Sequence, residues 1–338
     1  MNTHFHGKTV MITGAGGSIG SELARRVAAL GPKNLLLVGH SEQPLYDLMQ
    51  SFASEKPHPS ADTVITAHLA SVADERAMEQ LVPGVDIILH AAAHKHVPLC
   101  EQNPVEAVKN NVGGFMTLAN VASRYGVKQV ILVSSDKAVK PSSVMGATKR
   151  ACELFARFLG PRSTTRFTIV RFGNVRDSSG SVMPLWRKQI AAGGPVTVTD
   201  KRCTRYFMSI PAACALVIEA AAQRAGTYML DMGKPQSVAG LAQVLIDTEI
   251  DKWRCANPGL QSPKIEIVET GLRPGEKLEE ELHYDGEAVL TSVRGLLRLK
   301  ENENGRVTRW DDFHSLMDAT MCLGGKDLVL RRLWEIVS

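Results

Sequence analysis

Residues 9–22 read TVMITGAGGSIGSE, a β-branched and apolar run followed at once by glycines at every third position. The run Thr9–Thr13 predicts a buried strand, and the spacing that follows predicts a helix. Gly14, Gly17 and Gly20 fall in or beside the turn between them, where glycine permits a tight bend and close approach of the backbone to a ligand. The amide N–H groups of a helix that begins there point at a pyrophosphate. We therefore predict a dinucleotide site at Gly14, Gly16, Gly17, Ser18, Ile19 and Gly20.

Short apolar runs and segments of helical spacing alternate along the first half of the chain. Segments such as 19–30 and 105–125 carry apolar residues at the spacing of a helix. Near-continuous apolar strands separated by helices indicate a parallel sheet that is covered on both faces. We therefore predict the α/β fold class, as a Rossmann-type doubly wound parallel sheet. Its further strands are expected at 35–38, 63–67, 86–89, 130–133 and 167–170.

Glycine- and proline-rich connections break this pattern after Val170. Such breaks predict a smaller, discontinuous C-terminal lobe that binds substrate. The last segment, 310–336, is predicted to be helical with a break at Gly324-Gly325. We expect a nucleotide-binding domain of residues 1–170 to which 205–232 return, a lobe of 171–204 and 233–300, and a C-terminal helical segment of 301–338.

Composition argues against several classes of protein. The 338 residues include 39 Lys and Arg against 35 Asp and Glu, a net formal charge of +4. Because the basic residues are dispersed, neither a nucleic-acid tract nor a polybasic membrane anchor is predicted. No apolar run is long enough for a membrane span, and the first strand leaves no room before it for a signal peptide. The six cysteines have no metal-binding or CxxC spacing, so we expect free thiols and a cytoplasmic protein.

Polar side chains follow the strand predicted at 130–133, in the order Ser134-Ser135-Asp136-Lys137. In open α/β sheets ligands bind beyond the carboxyl ends of the strands, so these side chains are expected to face the cofactor. The next helix opens with VMGATK at 144–149. Within it Met145 and Lys149 are four residues apart and therefore share one helical face.

The end of the second predicted strand bears on the choice of cofactor. An acid at this point would hold the adenosine ribose and favour NAD. The sequence instead reads Gly39-His40-Ser41-Glu42, where glycine leaves space for a 2′-phosphate and Glu42 could still reach the ribose. We expect His40 and Ser41 to contact the cofactor, and the choice between NAD and NADP stays open.

Together these motifs resemble the extended short-chain dehydrogenase/reductase superfamily, which carries GxxGxxG, a Ser or Thr at the end of a later strand, and usually Tyr-xxx-Lys. In most members the lysine lowers the pKa of the tyrosine, whose phenolate takes the substrate hydroxyl proton. Here Met145 stands at the tyrosine position, and a thioether cannot carry a proton. Three explanations are open: Met145 packs beside an inactive site, a distant tyrosine substitutes, or the base has moved to another residue. We favour the last.

Further runs are similar to the nucleotide-sugar 4,6-dehydratases: HAAAHKHVP at 90–98, SSDKAVKP at 134–141, VMGATKR at 144–150 and RFGNV at 171–175. Methionine at the tyrosine position resembles the UDP-N-acetylglucosamine 4,6-dehydratases that retain the C5 configuration and act in capsule, O-antigen and protein-glycan pathways. The resemblance extends over about residues 8–285, with departures at Gly39 and at Arg176-Asp177. Many relatives carry a membrane-spanning N-terminal region, and this chain resembles the short soluble form.

The resemblance implies a lyase that oxidises sugar C4, eliminates water across C5 and C6, and reduces C6, so that a tightly bound NAD or NADP ends as it began. Asp136 is then the acid toward the C6 oxygen and Lys137 the base at C5, if burial keeps Asp136 protonated and Lys137 partly neutral. Ser135 is expected to bond the C4 oxygen, and Lys149 to hold the nicotinamide ribose. The alternative is that Asp136 and Lys137 form a solvated ion pair that contributes little.

The resemblance also implies where a UDP-N-acetylhexosamine would bind. Arg205 and Arg273 match positions that bind the diphosphate, for which the planar guanidinium suits bidentate contacts. Glu276 would accept from the uridine ribose hydroxyls, and Asn174 would lie near the sugar or the diphosphate.

The loop with His94-Lys95-His96 is expected to lie over cofactor and substrate. Ala91 and Ala92 precede it as expected cofactor contacts, and Asn111 is expected to support the catalytic strand through backbone hydrogen bonds. No third ligand stands near the two histidines at motif spacing, so no metal site is predicted.

Two other functions compete with dehydration. A UDP-sugar 4-epimerase or 4-keto reductase normally depends on the tyrosine, so Met145 argues against it. A non-catalytic NAD(P)-binding regulatory protein is disfavoured by the retained Asp136, Lys137 and Lys149. The resemblance further implies a homodimer or a larger homo-oligomer.

Overall fold

The strands alternate with helices in a computed structural model that describes residues 3–54, 56, 58–285, 287, 289–293, 295–300, 308–321 and 325–338. The strands in these residues are β1 (Thr9–Thr13), β2 (Asn34–Gly39), β3 (Val64–Leu69), β4 (Ile87–His90), β5 (Gln129–Val133), β6 (Arg166–Arg171), β7 (Asn174–Arg176), β8 (Val196–Val198), β9 (Thr204–Arg205), β10 (Phe207–Ser209), β11 (Gly226–Leu230), β12 (Gln236–Ser237), β13 (Ile267–Glu269), β14 (Val289–Val293) and β15 (Leu296–Leu299). The helices are α1 (Ser18–Ala28), α2 (Glu42–Ser54), α3 (Glu75–Leu81), α4 (Val97–Gln102), α5 (Pro104–Val108), α6 (Gly114–Arg124), α7 (Val144–Leu159), α8 (Val182–Ala191), α9 (Ile210–Ala221), α10 (Val238–Ala256), α11 (Trp310–Met321) and α12 (Gly325–Val337).

One large sheet organises the fold, with nine strands in the order β14-β15-β11-β6-β5-β4-β1-β2-β3. The seven strands from β11 to β3 pair in parallel, whereas β15 and β14 add to the edge in antiparallel orientation. The strand order reverses between β1 and β4, and this is the crevice where ligands bind in sheets of this kind. The predicted fold class, a doubly wound α/β sheet, is confirmed.

Helices cover both faces of the sheet because its central strands are mostly apolar and buried; every residue of β5, for example, is buried. One face packs against a core that includes Phe115 of α6, Phe155 of α7 and the C-terminal helices through Phe313 and Leu333. The other face packs against α1 and α9. No helix among the described residues has the length and the apolar character that crossing a membrane requires.

A separate small core lies in the second lobe, where α8 and α10 pack around Trp186, Val196 and Leu245. Three two-stranded pairings, β7–β10, β8–β13 and β9–β12, belong to this side of the molecule. The β14–β15 hairpin joins the large sheet instead, although residues 233–300 were expected in the lobe. Leu296 and Leu299 of β15 are buried. Burial of these apolar side chains stabilises the hairpin at the edge of the large sheet beside β11.

The helix expected over 105–125 is divided into α5, a π-helical turn at Lys109–Gly113, and α6. A π-turn inserts one residue into a helix and frequently marks a functional region. Here it carries Asn111 into the interior. In the C-terminal segment the expected break at Gly324-Gly325 falls partly outside the described residues, and α12 begins at Gly325.

Candidate active site

A cavity of about 1010 Å³ opens at the carboxyl ends of β1, β2, β4 and β5 and extends to the segment around β7. Among its described lining residues, Lys95, Lys137, Lys149 and Arg176 carry positive charge, whereas Glu106 is the one carboxylate. A positive cleft attracts anions and raises their local concentration. The cavity is therefore suited to ligands with several phosphate groups.

Glycines form one end of the cavity. A Cβ added at Gly14 would lie 2.6 Å from the Ala92 nitrogen, and one at Gly16 would lie 2.7 Å from Cβ of Pro44. Gly14 also has φ of +68°, which favours glycine. Because α1 begins just after this turn, its free N–H groups can donate hydrogen bonds to a pyrophosphate, and the residues fit a dinucleotide. All predicted cofactor contacts line the cavity: Gly14, Gly16, Gly17, Ser18, Ile19, Gly20, His40, Ser41, Ala91, Ala92 and Lys149.

Buried polar side chains tie the strand ends together below the cavity. The Thr13 hydroxyl lies 2.8 Å from Nδ1 of His90, which joins the ends of β1 and β4. Burial, and then the charge of Lys149, lower the pKa of His90 to about 3. His90 is therefore neutral at ordinary pH and acts as a fixed hydrogen-bonding partner.

Helix α7 brings Met145 and Lys149 to the cavity wall, as the four-residue spacing predicted. Both side chains are buried. Lys149 Nζ donates to the Val133 carbonyl oxygen at 2.9 Å, at the end of β5. Burial lowers the pKa of Lys149. The helix starts at Ser143, whose hydroxyl caps it by accepting from the Gly146 N–H at 3.1 Å.

Asp136 and Lys137 lie on a 3₁₀ turn, Asp136–Ala138, shortly after the end of β5. Asp136 is buried, and its Oδ1 accepts from the Ser135 hydroxyl at 2.8 Å and from Lys137 Nζ at 3.1 Å. Its other oxygen, Oδ2, is buried without a hydrogen-bond partner. Lys137 Nζ also donates to Asn174 Oδ1 at 3.2 Å. Ser135, Lys137 and Asn174 line the cavity, whereas Asp136 is buried behind them and is not among the lining residues.

Glu280 is a third ionisable group at this place, and the sequence did not identify it. Its buried carboxylate lies 3.3 Å from Lys137 Nζ. Burial alone would lower the pKa of Lys137, but the carboxylates of Asp136 and Glu280 outweigh it and raise that pKa above its ordinary value. The expectation that burial lowers the pKa of Lys137 and leaves it partly neutral is therefore wrong. Glu280 is the second of three consecutive glutamates, and the sequence alone does not show which of the three is buried.

The predicted diphosphate contacts do not reach the cavity. Arg205 is buried, and its guanidinium donates to the carbonyl oxygens of Thr204, Lys277 and Leu278 at 2.7 to 2.9 Å. These contacts consume the donors that a diphosphate would need, so Arg205 is a scaffold residue in this structure. Arg273 is exposed, and its backbone N–H donates to Oε2 of Glu276 at 3.3 Å.

The loop with His94 and Lys95 lines the cavity, and Asn111 fixes its backbone. The Asn111 side chain accepts from the His94 N–H at 2.7 Å and donates to the His94 carbonyl oxygen at 3.0 Å. It also donates to the Thr148 hydroxyl at 3.0 Å. Asn111 thus joins the loop to α7, and the expectation that it supports the catalytic strand is wrong. The π-turn explains the difference because it directs this side chain toward the loop.

One backbone segment of the second lobe reaches across the cavity. The Ser179 carbonyl oxygen accepts from Lys95 Nζ at 2.6 Å, and its N–H donates to the Ser18 hydroxyl at 2.9 Å. Next to it, Gly180 packs directly against the His96 ring. The lobe is therefore hydrogen-bonded to both the glycine turn and the His94 loop.

Comparison with known proteins gives a family match over most of the chain. A family described as "Polysaccharide biosynthesis protein" matches residues 10–298. The probable polysaccharide biosynthesis protein EpsC of Bacillus subtilis is 41% identical over 329 residues, which are 95% of this chain and 53% of that protein. The chain thus spans about half the length of this relative.

Other similar proteins have names that specify a reaction. A UDP-N-acetylglucosamine 4,6-dehydratase (inverting) of Campylobacter jejuni is 29% identical, over 85% of this chain and 80% of its own. A UDP-glucose 4-epimerase of Rickettsia canadensis is 31% identical, over 82% and 78%. Among solved structures, Pen from Bacillus thuringiensis is 34% identical with a TM-score of 0.75, over 84% of this chain and 85% of its own.

Proposed function

The chain belongs to the polysaccharide biosynthesis protein family, and on this basis we propose that it is a nucleotide-sugar 4,6-dehydratase. The proposed substrate is UDP-N-acetylglucosamine, and the product is the UDP-4-keto-6-deoxy sugar. NAD or NADP is the proposed cofactor, held at the turn that contains Gly14 and Gly16. The positive cavity supports two ligands that each carry a diphosphate.

The Asp136–Lys137 pair is the observation that carries this proposal. Elimination of water needs a base at C5 and an acid at the C6 oxygen, whereas oxidation and reduction at C4 alone need a proton carrier only at the C4 oxygen. An acid–base pair at the end of β5, beside Ser135 and across from Met145, supports elimination. The relative named as a dehydratase supports the same reaction.

The proposed mechanism assigns each proton to a side chain. Bound NAD or NADP supplies the acceptor for oxidation at C4 and the donor for reduction at C6. Ser135 donates a hydrogen bond to the C4 oxygen, and Lys149 contributes positive charge beside it. The C4 hydroxyl proton leaves through the Ser135 hydroxyl to solvent when C4 is oxidised. Lys137 takes the proton from C5, and Asp136 gives its proton to the C6 hydroxyl, which leaves as water. Lys137 then returns a proton to C5 when C6 is reduced.

The Asp136–Lys137 pair returns to its starting state within one turnover. Elimination leaves a carboxylate and an ammonium group, which is the ionic state that the raised pKa of Lys137 favours. Lys137 then gives its proton back to C5 as C6 is reduced, and Asp136, whose Oδ1 lies 3.1 Å from Lys137 Nζ, regains one proton in place of the one that the C4 hydroxyl released. The acid and the base are thereby restored without change in net charge.

Product analysis tests the proposal. The protein is incubated with UDP-N-acetylglucosamine, and the nucleotide sugar is analysed by mass spectrometry and NMR. We expect loss of one water, deuterium at C5 when the reaction runs in D₂O, and transfer of a C4 deuterium of the substrate to C6. Asp136→Asn is expected to suppress all three changes. An isomer of unchanged mass would contradict dehydration, and absence of any reaction would favour the regulatory reading.

A 4-epimerase is the second candidate, and the relative of that name supports it. Such an enzyme needs a proton carrier beside C4, for which Met145 has no suitable group. All five tyrosines of the chain lie in its described part, and none contributes to the lining of the cavity. The distant-tyrosine explanation therefore gains no support from the geometry.

A further inference from the structure

We propose that Glu280 is a positioning residue of this site, whose buried carboxylate holds the Lys137 ammonium group at the cavity wall between Asp136 and Asn174. The inference rests on the proposed function insofar as it gives Lys137 a role in proton transfer. The placement itself is independent of the reaction, because it follows from contacts within the chain.

Three oxygen atoms surround Lys137 Nζ at hydrogen-bonding or ion-pairing distance. They are Asp136 Oδ1 at 3.1 Å, Asn174 Oδ1 at 3.2 Å and Glu280 Oε1 at 3.3 Å. An ammonium group has three donors, so this set is sufficient to occupy all of them. A lysine side chain otherwise rotates about several bonds, and three partners restrict it to one position. The position borders the cavity, where a substrate would meet it.

These partners come from distant parts of the chain. Asp136 follows β5, Asn174 begins β7, and Glu280 lies after the turn at Gly275. Glu280 therefore connects this segment to the turn that carries Lys137, beside the hydrogen bond from the Tyr284 hydroxyl to the Ala138 carbonyl oxygen and the ion pairs of Lys140 with Glu281 and Asp285. Without it, the segment around residue 280 would make no ion pair with Lys137.

Glu280 is itself held by a buried cation. Arg205 Nε lies 4.0 Å from its Oε1. The Arg205 guanidinium is fixed by carbonyl oxygens of Thr204, Lys277 and Leu278, so the same segment that carries Glu280 also anchors its counter-ion. A buried carboxylate without a partner costs several kcal/mol; here Lys137 and Arg205 lie on either side of it.

Glu280 affects the pKa of Lys137 as well as its position, and the charges around Lys137 explain why. Two carboxylates, Asp136 and Glu280, face two cations, Lys137 and Arg205. Neutralising Glu280 leaves Lys137 near Arg205 with only one carboxylate, so the pKa of Lys137 falls. Glu280→Gln keeps an oxygen at the same place but removes the charge, whereas Glu280→Asp keeps the charge and withdraws it by one methylene. The two variants separate charge from placement.

The adjacent Glu279 provides a matched control because it is exposed and lies in the same run of three glutamates. Wild type, Glu280→Gln, Glu280→Asp and Glu279→Gln are labelled with acetic anhydride over a pH series, and the Lys137 peptide is quantified by mass spectrometry. Only the neutral amine reacts, so the midpoint reports the pKa of Lys137. Dehydration of UDP-N-acetylglucosamine is measured on the same four proteins, and thermal unfolding verifies that each is folded.

We expect Glu280→Gln to move the Lys137 midpoint to lower pH by about one unit or more and to reduce kcat at least tenfold, with a smaller change in KM. The limb of the pH–rate profile that reports Lys137 should move in the same direction. Glu280→Asp should reduce kcat with a smaller movement of the midpoint, and Glu279→Gln should resemble wild type.

An unchanged midpoint in Glu280→Gln would overturn the inference, as would an equal movement in Glu279→Gln. A folded Glu280→Gln that dehydrates substrate at the wild-type rate with a wild-type pH profile would also overturn it. If the wild type forms no dehydrated product while the midpoint still moves in Glu280→Gln, the charged contact between Glu280 and Lys137 stands and the proposed function fails.

Discussion

Lys137 and Lys149 bring two amines to one cavity, but their surroundings shift their pKa values in opposite directions. Lys149 is buried against the Val133 carbonyl oxygen, and burial lowers its pKa. Lys137 is part-buried between Asp136 and Glu280, and these carboxylates overcome the effect of burial. Two identical side chains in one site therefore have their pKa values shifted in opposite directions, and the difference arises from which oxygen atoms the fold places beside each of them.

Replacing Lys137 by alanine tests its role most directly. We expect Lys137→Ala to abolish dehydration while the protein still binds NAD or NADP, because Lys137 lies apart from the glycine turn. Turnover is followed by mass spectrometry, and bound nucleotide by absorbance after denaturation. The exposed Lys128→Ala is a suitable control. Full activity of Lys137→Ala would remove this residue from the mechanism.

Truncation of Met145 is expected to have a milder effect. The side chain packs in the core and lines the cavity but carries no proton, so Met145→Ala should lose stability, roughly 2–5 kcal/mol as for other buried methionines, and retain measurable turnover. Met145→Leu, which nearly conserves volume, should be closer to wild type. A loss of turnover greater than about a thousandfold in a folded Met145→Ala would contradict the packing role.

The sequence predicted those residues of the site whose position follows from spacing along a single strand or helix. The glycine turn, Ser135 and Lys149 follow from the end of one strand or the start of one helix, and the structure brings them to one cavity. Glu280 and the bridging role of Asn111 depend on contacts between distant segments. The contact of Arg205 with backbone carbonyl oxygens could not be predicted either, because the sequence does not show whether an arginine binds a diphosphate or the backbone.

At the scale of elements, the site is assembled where the 3₁₀ turn Asp136–Ala138, which follows β5, meets the first turn of α7. The two touch at Gly146, whose α-carbon faces the Lys137 carbonyl so closely that an added Cβ would overlap its oxygen. Ser143 caps the helix just before this contact. The start of α7 therefore sets the position of the 3₁₀ turn, which spacing within the helix alone could not predict.

We expect Gly146→Ala to displace the turn that carries Asp136 and Lys137, and to lower kcat at least tenfold while nucleotide binding persists. Gly160→Ala, at the other end of α7, is the matched control because its added Cβ would meet only ordinary van der Waals contact with Phe167 at 3.9 Å. Steady-state kinetics and a nucleotide titration compare the two variants. Equal activity in both would show that the contact at Gly146 does not control the turn.

At the scale of the whole molecule, buried ionisable groups within the large sheet couple stability to pH. Glu153 and Arg171 form a buried pair with two hydrogen bonds of 2.8 Å between them. Burial would raise the pKa of Glu153, but Arg171 outweighs it and lowers this pKa to about 2. The pair therefore stabilises the fold above the ordinary carboxyl pKa of 4.5, and this contribution is lost as pH falls toward 2.

His90 has an effect in a higher range of pH. Its pKa falls from 6.5 in the unfolded chain to about 3 in the fold, so the unfolded state binds more protons between these values and stability falls as pH decreases below 6.5. At pH 5.5 the expected cost is on the order of 1 kcal/mol. Denaturant unfolding of wild type and His90→Gln at pH 7.5 and 5.5 measures it. The variant should show a smaller loss on acidification; an equal loss in both proteins would contradict the assignment.

Of the seven parallel strands, β11 was not predicted, because it lies beyond the point where the alternating pattern breaks. The other six were predictable because helical crossovers separate them at regular intervals. The β14–β15 hairpin was not, since it follows a long irregular stretch and pairs antiparallel with a strand far back in the chain. The second lobe was expected as a discontinuous unit, and its small core around Trp186 forms from α8 and α10, which are likewise distant in sequence.

The ribosome synthesises β15 long after its pairing partner, and this order has a consequence for biosynthesis. It pairs with β11, which the ribosome completes roughly 70 residues earlier. At translation rates of about 5–20 residues per second, the edge of β11 stays uncovered for roughly 4–14 s on every nascent chain. An open edge of a sheet can recruit a foreign strand. Slow translation or crowded polysomes should therefore increase aggregation of this protein before its native hairpin can cap the edge.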